Sequence, residues 1–304
     1  MANTKSKKTA AKRPSSKAKA VATKSEKTVK AETAVGTISA NAIAAKKGNP
    51  FKGFFERKCD KDENILTIFK NPKIWGAIAG EVIGTMLLMI LMITLGVYQP
   101  LYVIIGMIAI TMGVYALSGA HLNPAITVGM MATRRVSAIR GILYIVAQIV
   151  GAWLGLLIMS GFRGAGGDLV ELPAITALQD STIWKNIFVE LLGTAIIGFF
   201  FCRAQSYRTP KGAFTYAAVI AGGIALAVLF SVVISTNYLG LSSNFALNPA
   251  VAIMEQIFPS VSDGFGELMG SVGVAALTYI IVPMLGATIG FFAADASKKL
   301  AGEE

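Results

Sequence analysis

The chain is short of charge and of the residues from which soluble enzymes build their sites. Charged residues fill only 15% of its 304 positions, where a soluble domain carries roughly a quarter. It has one histidine, His121, and two cysteines, Cys59 and Cys202. Two cysteines do not make a disulfide scaffold. A lone His without Cys or carboxylate neighbours in ligand spacing makes no metal site, and no nucleophile–base pair forms around it. No Gly-rich phosphate loop is present. These absences argue against an enzyme, and neither a metal nor a cofactor is expected. What the chain has instead is apolar length, with 54% hydrophobic residues, the composition of a membrane protein.

The net charge of +11 is unevenly placed. Residues 1–60 hold 15 of the 28 basic and 4 of the 17 acidic residues, and residues 61–304 hold 13 of each. The chain therefore divides into a basic tail, 1–60, and a neutral membrane body, 61–304. Residues 1–50 are rich in Lys, Ala, Thr and Ser. They bury too little surface to offset ordering entropy, so disorder is expected. No h-region follows the basic start, so the segment does not read as a signal peptide. A nucleic-acid-binding arm has a similar composition. A cytoplasmic tail lying against anionic lipid is the plainer reading, and nucleic acid is not an expected partner. Phe51, Lys52, Phe54, Phe55, Arg57 and Lys58 could form a short interfacial segment.

Six stretches reach the roughly 20 apolar residues that a span requires: Ile74–Gly96, Leu101–Gly119, Gly141–Ser160, Trp184–Cys202, Phe214–Ile234 and Leu268–Ala293. Backbone polar groups must pair internally in lipid, so helices are expected. Arg134, Arg135 and Arg140 fall between the second and third stretches. Arg203, Arg208 and Lys211 fall between the fourth and fifth, and Lys298 and Lys299 follow the sixth. The loop 161–183 carries Asp168, Glu171 and Asp180 against Arg163. This bias puts both chain ends in the cytoplasm of a multi-pass cell-membrane protein.

The body repeats. Glu81, Gly84 and Thr85 match Glu190, Gly193 and Thr194. Tyr144, Gly151 and Gly155 match Tyr279, Gly286 and Gly290. His121-Leu122-Asn123-Pro124-Ala125 returns as Ala246-Leu247-Asn248-Pro249-Ala250. Three spans per half is odd, so the second half enters from the opposite side, an inverted repeat of the kind that forms solute pathways. The paired glycines are small-xxx-small contacts for close helix approach.

Each Asn-Pro-Ala opens an apolar stretch too short to span, Ile126–Ala132 and Val251–Phe258. Asn is a good N-cap and Pro suits the first turn. A helix that starts in mid-membrane must line a cavity or be buried in protein. Two such helices entering from opposite faces bring their positive ends together at the centre. The amides of Asn123 and Asn248 then offer donors to a passing oxygen, while cations and protons meet a barrier.

The chain resembles the aquaporin, or major intrinsic protein, family over about residues 72–295. Ser118-Gly119-Ala120-His121-Leu122-Asn123-Pro124-Ala125 carries the likeness, together with the Glu-x-x-Gly-Thr elements, Gln148, and Pro283 to Gly286. The resemblance implies an all-α membrane protein of six transmembrane helices and two re-entrant half-helices. It also implies a homotetramer with four separate pores and passive conduction of water or small neutral solutes. Glu81 and Glu190 become structural acceptors for the re-entrant loop backbone rather than members of a proton relay. His121 lines the pore or packs as a neutral ring.

The chain departs from the family at its selectivity constriction. Val251 stands three residues after Asn248, where the family carries Arg. Phe245, three before Asn248, resembles the glycerol-facilitator branch. Val103 takes the position on the second span, and Phe230 is the candidate on the fifth, with Ser231 second. The connection from the fifth span to Asn248 is about six residues longer than usual. A neck without a guanidinium lacks fixed charge and donors. Three outcomes are open: passage of less polar solutes such as glycerol, passage of water with weaker proton exclusion, or plugging by phenylalanine. An ion-coupled transporter and a closed or junctional member of the same fold are the alternatives. Arg163 and Lys185 alone lie where a substitute cation would be needed.

Overall fold

The computed structural model describes residues 65–94, 100–162, 183–241, 245–257 and 273–303, and the regular structure there is all helical. The basic tail, its interfacial segment, and the loop with Arg163, Asp168, Glu171 and Asp180 lie outside the described residues. After a single turn at Ile65–Ile68, the elements are α1 (Pro72–Thr94), α2 (Pro100–Val114), α3 (Pro124–Ala132), α4 (Ala138–Phe162), α5 (Ile183–Ala204), α6 (Ala213–Val233), α7 (Pro249–Ala252) and α8 (Val282–Ala301). The first and third to sixth expected spans each have a helix long and apolar enough to cross a membrane. The second differs from expectation. Its helix stops at Val114, 15 residues in all, because the chain must already turn there towards the re-entrant loop that Gly119 enters at φ 96°.

Packing inverts the rule for soluble proteins. Large apolar side chains such as Leu101, Ile105, Ile142, Leu157, Ile289 and Phe162 are exposed on the outside. The interior holds Gly, Ala and Thr together with the fully buried Glu81, Gln148 and Glu190. That is the pattern expected where the outer solvent is lipid.

The two halves are built alike. α1 packs on α4 as α5 packs on α8, and α1 on α2 as α5 on α6. The paired glycines set these approaches. A Cβ on Gly151 or Gly155 would run into the Val82 and Met86 carbonyl oxygens, and one on Gly286 or Gly290 into those of Leu191 and Ala195. Each half-helix lodges in the other half: α3 lies against α8, and α7 against α4.

The halves differ at one end. Three π-helical turns, Ile234–Tyr238, Ile253–Ile257 and Leu277–Ile281, occur in the second half. None occurs among the described residues of the first. The last has a visible cause. Pro283 supplies no N–H to the carbonyl four residues back and crowds it, which opens the turn before it.

The opposite end carries the basic connections. Arg135 pairs with Asp295 at 2.5 Å, Arg203 with Glu303 at 2.7 Å, and the Lys298 Nζ donates to the Cys202 carbonyl at 3.1 Å. The hydrogen bonds from Arg203 hold the Glu303 carboxyl below the ordinary carboxylate range.

Candidate functional site

Both half-helices begin as their sequences require. Asn123 and Asn248 are extended N-caps whose side-chain oxygens accept from the Ala125 and Ala250 N–H groups at 2.8 and 3.0 Å. Pro124 and Pro249 occupy the first turn, where no N–H is needed. The other ends of the two amides reach across the repeat. Asn123 Nδ2 donates to the Leu247 carbonyl and Asn248 Nδ2 to the Leu122 carbonyl, both at 2.9 Å. An amide nitrogen has two hydrogens, so each asparagine keeps one beyond this cross-bond.

The residues just before the asparagines are held in an unfavourable backbone. Leu122 and Leu247 have φ of 52° and 54°, and Ala120 has 52°. That region costs an L-residue about 1–2 kcal/mol. Two buried carboxyl groups offset it. Glu81 accepts from the His121 and Leu122 N–H groups at 3.0 and 2.8 Å, and from Gln148 Nε2 at 2.7 Å. Glu190 accepts from the Ala246 N–H at 2.6 Å and the Leu247 N–H at 3.1 Å. In the second half Pro283 stands where the repeat would put a glutamine, and among the described residues Glu190 has no counterpart to the Gln148 bond.

His121 is packed. Its ring meets Tyr144 and Phe201 edge-on, with centroids 5.2 and 5.7 Å apart, and Nδ1 lies 3.2 Å from Thr127 Oγ1. Thr127 in turn accepts from Gln148 at 3.0 Å, which joins the ring to the Glu81 cluster. His121 Nε2 has no hydrogen-bond partner among the described residues.

These elements enclose a cavity of about 530 Å³ whose wall includes His121, Asn123, Asn248, Val103, Phe245 and Val251. The remaining wall is apolar, with Leu88, Met92 and Met107 from the first half and Ile197, Phe201, Ile220 and Val232 from the second. Among the described residues, His121, Asn123 and Asn248 are the only polar side chains in the wall.

Phe230 is a correction. It is 46% exposed and lies outside the lining, so it does not face the cavity. α6 is apolar on every side, and no polar stripe in the sequence marks which face turns inward. Val228 and Val232 take the inner face instead. Ser231, the second candidate, is buried beside Gly193, where a Cβ would come within 2.8 Å of its hydroxyl. Part of the long connection before Asn248 is spent on the π turn that extends α6. Lys185 also stays away from the cavity. Its Nζ donates to the Leu239 carbonyl at 2.8 Å, capping that turn. Phe201, which meets the His121 ring, and Ile220 also line the cavity, and no sequence motif marks either of them.

The geometry is that of a polytopic channel: an inverted repeat with two half-helices meeting at an internal cavity. The sequence profile described as Major intrinsic protein matches residues 68–294, and the chain belongs to that family, whose members are channels rather than enzymes. Aquaporin-4 of Mus musculus is 31% identical over 249 residues, covering 73% of each chain. The glycerol uptake facilitator protein-like 6 of Lactiplantibacillus plantarum is also 31% identical, over 62% of this chain and 80% of its own. The X-ray structure of the aquaglyceroporin from Plasmodium falciparum shares the fold at TM-score 0.53 and 20% identity, over 73% of this chain and 96% of its own.

Proposed function

We propose that the cavity is a passive pore for small neutral solutes, with glycerol-like molecules favoured over water, and that its constriction is formed by Val103, Phe245 and Val251. The observation that carries this reading is the wall itself, in which, among the described residues, three polar side chains are set in an otherwise apolar surface. A polyol presents carbon on one side and hydroxyls on the other, and such a wall suits both. Water crossing the same neck loses hydrogen bonds that an apolar wall does not return. Asn123 and Asn248 serve as the central donors, Pro124, Ala125, Pro249 and Ala250 as the starts of the half-helices, and Glu81 and Glu190 as structural acceptors. His121 lines the pore as a neutral ring.

The functional unit on this reading is a homotetramer with one pore per subunit, placed in the cell membrane with both ends cytoplasmic. The basic tail lies against anionic lipid.

The test is stopped-flow light scattering on proteoliposomes, with water and glycerol gradients run in parallel beside empty liposomes and a Val251→Arg variant. Wild type should speed glycerol equilibration, and Val251→Arg should lower it by about tenfold, the equivalent of ~1.4 kcal/mol. Faster water with unchanged glycerol would make the pore a water channel. No acceleration of either gradient would overturn the solute assignment.

A further inference from the structure

Among the described residues the cavity wall contains no charged side chain, yet a cation stands at its rim. Arg208 lies in the connection between α5 and α6, after the 3-10 turn Gln205–Tyr207. Its guanidinium lies flat on Gly119. A Cβ built on that glycine would be 2.9 Å from Cζ, 2.9 Å from Nη2 and 3.1 Å from Nη1. Gly119 is the residue before Ala120 and His121, both of which line the cavity. Its φ of 96° and its carbonyl, which accepts from Tyr216 Oη at 2.7 Å, fix the loop beneath the guanidinium.

Three neighbouring cations are otherwise engaged. Arg135 is paired with Asp295 and Arg203 with Glu303. Arg140 hydrogen-bonds Tyr144, whose hydroxyl donates to the Ser118 carbonyl at 3.3 Å, so a second guanidinium flanks the same loop. Beyond its backbone N–H, which donates to the Gln205 carbonyl at 3.3 Å, Arg208 has no hydrogen bond or ion pair among the described residues. Glu81, the acid beneath the loop, is wholly buried and saturated with donors.

We propose that Arg208 is a specificity-determining residue, a fixed positive charge at the basic-end mouth that repels protons and cations from a pore whose constriction carries none. The inference rests on the pore reading above. A guanidinium stays protonated at any working pH. Contact with the loop puts it well within a Debye length, ~8 Å at physiological ionic strength, of anything entering past His121. The low-dielectric walls of the mouth focus its field along the entry path. A neutral polyol feels no such field, so the residue sorts solutes by charge and leaves neutral flux alone.

The test uses full-length protein in liposomes loaded with a pH-sensitive dye, under a potassium diffusion potential that drives protons inward, with glycerol flux measured on the same preparation. Arg208→Gln should raise proton entry by roughly threefold to fivefold, the size expected for one partly screened charge. Arg208→Lys should restore the wild-type rate, and glycerol flux should be the same in all three. Raising the salt should lift proton entry in wild type and leave Arg208→Gln unaffected. Proton entry unchanged in Arg208→Gln would overturn the proposal. So would a parallel rise in glycerol flux, which would make the side chain a steric plug. Failure of the pore reading shows separately, as absence of glycerol flux in wild type.

Discussion

Asn123 and Asn248 each donate an amide hydrogen to the carbonyl directly before the other, at matching distances of 2.9 Å. The exchange joins residues more than 120 positions apart into one symmetric clasp. Cap and clasp can be separated by substitution. Asn123→Ser keeps an oxygen to cap α3 but is too short to cross, and should cost about 1 kcal/mol. Asn123→Ala loses both and should cost about 2 kcal/mol. Thermal unfolding in detergent, followed by tryptophan fluorescence, orders the variants. Equal midpoints for Ser and Ala would assign the whole effect to the clasp.

Among the described residues Glu190 holds two backbone donors with no side-chain helper, whereas Glu81 also has Gln148. Glu190→Ala orphans the Ala246 and Leu247 N–H groups, at about 1–3 kcal/mol each. Little folded protein should survive extraction. Gln148→Ala removes one of several donors to Glu81 and should lower the unfolding temperature by only a few degrees. Size-exclusion profiles would separate the two outcomes.

The glycines divide by what surrounds them. Gly286 faces the Leu191 carbonyl, so Gly286→Ala forces α5 and α8 apart and should cost about 1–3 kcal/mol. Gly222 in α6 has nothing within 4 Å. Gly222→Ala should be neutral or stabilising by up to about 1 kcal/mol through helix propensity. Opposite signs in unfolding temperature are the expected result.

Breaking the Arg135–Asp295 pair should also be costly, because side-chain exposure is only 14% and 4%. Asp295→Ala leaves a guanidinium largely buried without its counter-charge, a loss of about 3 kcal/mol. Replacing both partners with Met and Leu should recover most of it. A double variant no more stable than Asp295→Ala would show that packing, not charge, is at stake.

Phe245 and Phe230 make a contrasting pair. Phe245 lines the cavity and Phe230 lies on the outer face. Phe245→Ala should raise the flux of polyols larger than glycerol by several-fold, whereas Phe230→Ala should leave it unchanged. Swelling assays with a series of polyols would show it.

Much of this was legible in the sequence because lipid imposes strong rules. Spans, caps and the repeat all follow from residue types at fixed spacings: Asn123-Pro124, Asn248-Pro249, Glu81, Glu190 and the four glycines. What was hidden depended on faces and distant partners. No local pattern links Asn123 to Leu247, or Arg208 to Gly119. α6 is too uniformly apolar to reveal its inner face, hence the misplacement of Phe230. The π turns have no signature except at Leu277–Ile281, where Pro283 follows, and the early end of α2 is set by a loop that begins five residues later.

The lodging of each half-helix in the opposite half bears on how the chain is made. α3 is synthesised about 150 residues before α8, the helix it finally rests against. At nine residues it is too short to hold itself across a bilayer. Until α8 emerges from the ribosome, Glu81 and Gln148 are the main groups available to keep the first loop tucked in. The first three spans are therefore an incomplete product on their own. A truncation after α4 should expose α3 to quality-control proteases, and co-expressing the missing half should rescue it.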